Sequence, residues 1–80
     1  MDFVKDGYVG GGLVIEGRRV RVYKPGSNLF RYISCPVTPL SAVWAGQTVQ
    51  VVLEDGWTRL YSGDTPFKQI PPPASFKRKR

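Results

Sequence analysis

The chain has 80 residues, a net charge of +6, a hydrophobic fraction of 41%, one cysteine and no histidine. That length makes one domain with a thin core, and a lone Cys35 excludes a disulfide framework. Without histidine there is no imidazole acid–base chemistry, no ordinary catalytic triad and no His–Cys metal site, so a non-enzymatic protein without cofactor or metal is expected.

The first twelve residues end in Gly10-Gly11-Gly12, a run that disfavours regular structure and predicts a flexible N-terminal segment over 1–12. Leu13-Val14-Ile15 is a short apolar run, and Glu16-Gly17 marks a turn. The stretch Arg19-Val20-Arg21-Val22-Tyr23 alternates polar and apolar residues and reads as a half-buried strand, closed by the turn cluster Pro25-Gly26-Ser27-Asn28. The two segments are close enough to form a hairpin. Residues 29–33 form the next expected strand and carry Phe30 and Tyr32. Pro36 and Pro39 predict a loop or irregular edge over 34–41; 41–45 is ambiguous, with Trp44 expected to anchor the core.

Residues 48–53 and 57–61 flank Asp55-Gly56, the preferred pair for a two-residue type I′ hairpin. Ser62-Gly63-Asp64 is a turn, 67–70 a short last strand, and Pro71-Pro72-Pro73 stops the fold and continues as polyproline II. There is no helical stripe and no internal repeat. Five or six short strands between Gly/Pro turns predict an all-β fold, a small barrel whose closure answers the edge-strand problem. The expected division is a flexible segment 1–12, a β-barrel domain 13–70, and a Pro-rich spacer with a basic tail over 71–80.

Val20-Arg21-Val22-Tyr23-Lys24-Pro25-Gly26-Ser27, then Gly46-Gln47-Thr48-Val49-Gln50-Val51, then Asp55-Gly56-Trp57-Thr58-Arg59, together resemble bacterial Src-homology-3 (SH3) domains. Those carry an Asn-Val-Arg…Gly-Pro-Ser-like segment, a Gly-x-x-Val-x-Val segment and a Gly-Trp-x-Lys/Arg segment. The resemblance covers about half the chain. The family's second Gly-Trp is absent, since Gly63 is followed by Asp64, Thr65 and Pro66, and the first seventeen residues have no counterpart. The resemblance implies an SH3-like barrel. It leaves the ligand open, although a peptide-binding module of SH3 type is one of the functions it admits.

Register turns the hairpin into a statement about surface. With Asp55 and Gly56 as the whole loop, Val49, Val51, Leu53 and Leu60 share the core face, and Trp57, Arg59 and Tyr61 share the outer one. A three-residue loop with a bulge after Gly56 would exchange those faces. In the earlier strand Val20 and Val22 point inward, so Arg19, Arg21 and Tyr23 point outward. Arginines beside aromatic rings suit single-stranded nucleic acid, whose bases stack while its phosphates are neutralised. They equally suit a groove for a Pro-rich peptide, or a purely structural role in which Arg stems cover the rings.

The tail adds Lys77, Arg78, Lys79 and Arg80, four of the twelve cations, behind a Pro-rich spacer. Such an arm can supply phosphate contacts, act as a localisation signal, or simply keep the chain in solution. The remaining signals are weaker. Glu16 and Glu54 can pair with Arg19 and Arg59 on the surface, and Cys35 reads as a small buried residue. No export signal and no membrane span are visible. The expected location is the cytoplasm or a particle assembled inside a cell. The leading expectation is therefore a nucleic-acid-binding barrel using Arg19, Arg21, Tyr23, Trp57, Arg59, Tyr61 and the tail. A structural or accessory subunit of a larger assembly, such as a virion, is the alternative.

Overall fold

The computed structural model describes residues 2–63 and 65–73. A one-turn helix, α1 (Phe3–Asp6), precedes the strands β1 (Leu13–Glu16), β2 (Arg19–Tyr23), β3 (Phe30–Ser34), β4 (Pro39–Ala45), β5 (Thr48–Leu53), β6 (Thr58–Tyr61) and β7 (Pro66–Ile70). They form two antiparallel meanders, β1-β2-β3 and β4-β5-β6-β7. The protein is mostly β, as its turns and alternation predict. The described residues nevertheless form two separate hydrogen-bonded sheets of seven strands in all, not a closed barrel of five or six. The additional strand is β4, placed partly where Pro36 and Pro39 predicted a loop. Pro39 opens this edge strand, where a missing N–H interrupts little, and the register shifts between Pro39 and Ser41.

The N-terminal segment is a second departure from the sequence expectation. Asp2 caps α1, its carboxylate accepting from the Val4 N–H, and the Phe3 N–H donates to the Ser62 carbonyl at 2.8 Å. Phe3 is fully buried and meets Trp44 edge-on at 5.7 Å; Tyr8 is buried beside it. Within the segment 1–12, expected to be a flexible arm, Phe3 and Tyr8 thus belong to the core and Val9 packs against it. Gly11 serves close approach, because a Cβ there would lie 1.6 Å from the Tyr23 carbonyl oxygen. The Gly11 carbonyl then accepts from the Trp44 indole N–H at 2.7 Å.

The core lies between the sheets. Val20, Val22 and Ile33 come from the first sheet and Val49, Val51, Leu53 and Tyr61 from the second, with Phe3, Tyr8 and Cys35 completing the cluster. Alternation in β2 and β5 is what sends these valines inward. Each fully buried Val, Leu, Ile or Phe contributes about 1.5–3 kcal/mol of transfer free energy. In a chain this short, Phe3 is therefore a large share of the total.

The β5–β6 hairpin has the three-residue form. The Leu53 N–H donates to the Trp57 carbonyl and the Gly56 N–H to the Leu53 carbonyl, enclosing Glu54, Asp55 and Gly56. Gly56 has φ 91°, the left-handed position that a type I turn followed by a bulge requires. Val49 consequently pairs with Tyr61, Gln50 with Leu60 and Val51 with Arg59. The faces expected for a two-residue loop are exchanged: Arg59 and Tyr61 follow Val51 and Val49 inward, while Leu60 turns outward with Gln50 and Val52.

Candidate functional site

β2 is the middle strand of the first sheet, so its outward residues have neighbours on both sides. Arg19 pairs with Glu16 and Ser34, Arg21 with Val14 and Tyr32, and Tyr23 with Phe30. Glu16 is directly opposite Arg19 and diagonal to Arg21, within reach of both long side chains. Ile33 is buried, so alternation in β3 turns Phe30 and Tyr32 to the same side as the arginines. The outcome is a surface built from Glu16, Arg19, Arg21, Tyr23, Phe30 and Tyr32.

The rings form a row, with centroids 5.6 Å apart from Tyr23 to Phe30 and 5.4 Å from Phe30 to Tyr32. The Arg21 guanidinium lies 4.5 Å over the Phe30 ring. Its Nη1 donates to the Tyr23 hydroxyl at 2.8 Å and its Nη2 to the Tyr32 hydroxyl at 3.3 Å and to Glu16 Oε2. Nε is buried without a hydrogen-bond partner. Those hydroxyl contacts, aided by the Glu16 charge, raise the guanidinium above its already high ordinary value, so Arg21 stays cationic. Arg19 stacks on Tyr32 at 4.2 Å and stands 3.6 Å from Glu16 Oε1, which also accepts from the Tyr32 hydroxyl at 3.1 Å. Such an array offers ring edges, a cation on a ring face and one acceptor carboxylate.

The structure thus joins Arg19, Arg21 and Tyr23 on one face but separates them from Trp57, Arg59 and Tyr61. Tyr61 is fully buried, and its hydroxyl accepts from Arg59 Nη1 at 3.4 Å and lies 4.0 Å from Cys35 Sγ. Burial raises the Tyr61 phenol, partly offset by its hydrogen bond to Arg59; burial likewise raises the Cys35 thiol. Trp57 is exposed at the end of the hairpin loop, its backbone N–H donating to the Asp55 carboxylate at 3.1 Å. Lys77, Arg78, Lys79 and Arg80 lie outside the described residues.

Phe30, Tyr32 and Glu16 belong to the face but were not assigned to it from the sequence. Their signal was available: Tyr23 and Phe30 flank one turn, so pairing across it aligns Tyr32 with Arg21. Among the described residues no cluster of His, Cys, Asp and Glu is arranged to hold a metal, and no helix is long and apolar enough to cross a membrane. Comparison with protein-family models, with curated proteins and with solved structures gives no match.

Proposed function

We propose that this chain is a small non-enzymatic nucleic-acid-binding protein, and that the outer face of β1-β2-β3 receives single-stranded nucleic acid. One observation carries the reading: the arginine–aromatic face, with Arg19 and Arg21 among its rings, belongs to the sheet in which the cations of the described residues are concentrated. Residues 13–34 hold Arg18, Arg19, Arg21, Lys24 and Arg31 against the single carboxylate Glu16. Bases would stack on Phe30 and Tyr32 and phosphates would meet Arg19, with Lys77, Arg78, Lys79 and Arg80 adding contacts from the tail. Rings that stack on bases favour unpaired strands over a duplex.

The test is titration of the full chain with a fluorescent oligothymidylate and with a duplex across a salt series. Steeply salt-dependent binding, tighter for the single strand and weakened roughly tenfold by Phe30→Ala, is the expected result. Salt-insensitive binding, or none to either probe, overturns the proposal.

A structural subunit of a larger assembly is a second reading, favoured by the outer face of β4-β5-β6-β7. Val43 and Ile70 are exposed there, with Val52 and Leu60 half-buried beside them. Val43→Lys should then abolish incorporation into the assembly without lowering the melting temperature. The SH3 likeness and the exposed Trp57 indole also support a peptide-binding module, which titration with Pro-rich peptides would reveal as a shift in Trp57 fluorescence.

A further inference from the structure

Resting on the nucleic-acid reading, we propose that the two arginines of β2 have different duties. Arg19 is the exchangeable cation, which leaves Glu16 for a backbone phosphodiester. Arg21 is a positioning residue that stays locked, and Glu16 is the chain's own stand-in for the phosphate.

Donor accounting separates the two. Both terminal nitrogens of Arg21 are engaged, by Tyr23, Tyr32 and Glu16, its Nε is buried, and one side of its plane lies on Phe30. Only 25% of its side chain is exposed. A phosphate reaching Arg21 would have to break several of these contacts together. Among the described residues Arg19 has one ion-pair contact, at 3.6 Å, longer than a hydrogen bond, and 49% of its side chain is exposed. Exposed pairs of this kind contribute little, so transfer to another anion costs little. The Tyr32 ring at 4.2 Å supports the guanidinium in either pairing.

Glu16 completes the arrangement. Carboxylate and phosphate oxygens are alternative acceptors for one guanidinium fork. Glu16 Oε1 holds Arg19 loosely and Oε2 holds Arg21, so its charge keeps both cations ordered before a ligand arrives. The same charge repels an approaching phosphate. Removing it should strengthen binding, whereas a purely structural salt bridge would weaken binding when cut. The sign of the effect distinguishes the two roles.

The experiment measures oligothymidylate affinity across a salt series for wild type, Arg19→Ala, Arg21→Gln and Glu16→Gln, each checked for folding by its melting curve. Arg19→Ala should flatten the log–log salt dependence by about 0.7. Arg21→Gln should weaken binding while leaving that slope unchanged, and Glu16→Gln should bind roughly two- to fivefold tighter. Equal flattening by Arg21→Gln, or weaker binding by Glu16→Gln, overturns the assignment. A second arm follows the Arg19 and Arg21 guanidinium resonances of the wild-type chain during titration with inorganic phosphate. A shift confined to Arg19 supports the division; equal shifts, or none at Arg19, overturn it. Should wild type ignore the oligonucleotide, the nucleic-acid reading falls, and the phosphate arm still decides between the two arginines.

Discussion

Tyr61 and Cys35 are the residues whose ionisation the fold opposes most directly. Both are raised by burial above their ordinary values of 10.0 and 9.0, so the folded chain keeps protons that the unfolded chain releases. The stability tied to this difference is fully present below the unfolded thiol value. It is lost as pH rises through that value and then through the phenol's. Urea midpoints measured from neutral pH to beyond the tyrosine value should therefore fall on the alkaline side. Tyr61→Phe keeps the buried ring but removes the titrating hydroxyl, and should flatten the later part of the fall. An alkaline limb as steep as wild type in Tyr61→Phe would show that another group is responsible. Arg59 then matters as a partner of the Tyr61 hydroxyl inside the protein, a role its sequence position beside Trp57 did not disclose.

At the scale of elements, α1 and the glycine run behind it are structural. Phe3→Ala should cost about 3–5 kcal/mol, against the roughly 5–15 kcal/mol available to a domain, and leave the chain close to unfolding at room temperature. Gly11→Ala should cost at least about 2 kcal/mol, because the new Cβ meets the Tyr23 carbonyl and not a movable side chain. Chemical denaturation followed at Trp44, which touches both Phe3 and Gly11, measures both. This is also where the sequence was hardest to read. A triple glycine looks the same whether it gives flexibility or close approach, and only the Tyr23 backbone decides between them. Asp55-Gly56 is similarly shared by two-residue loops and by three-residue loops with a bulge, and the choice reverses every side chain of β6. Trp57-Thr58-Arg59-Leu60-Tyr61 has apolar residues in both alternating sets, so its pattern could not settle the register. By contrast, β2 places valine at both inward positions and a polar or amphipathic residue at each outward one. Its face, with Arg19, Arg21 and Tyr23, was legible for that reason. Gly56→Ala tests the observed loop: holding alanine at a positive φ should cost roughly 1–2 kcal/mol.

Across the whole molecule, charge and surface chemistry are divided in a way that makes separate predictions for association and dissociation. Residues 1–76 carry eight cations and six carboxylates, so this part of the sequence is nearly balanced and its excess is confined to residues 13–34, which span the first sheet. The four cations at 77–80 supply most of the long-range field. Under the proposed binding of single-stranded nucleic acid, long-range attraction would govern encounter, whereas stacking on Phe30 and Tyr32 would act only after contact. Removing residues 77–80 should therefore lower the association rate and reduce the salt slope for a single strand by about 3 units, with the melting temperature unchanged. Phe30→Ala should leave association nearly intact and speed dissociation roughly tenfold. Stopped-flow mixing with fluorescent oligothymidylate resolves both rates. If truncation changes dissociation while Phe30→Ala changes association, the ring face is not where the strand rests, and the basic tail itself would be the binding site.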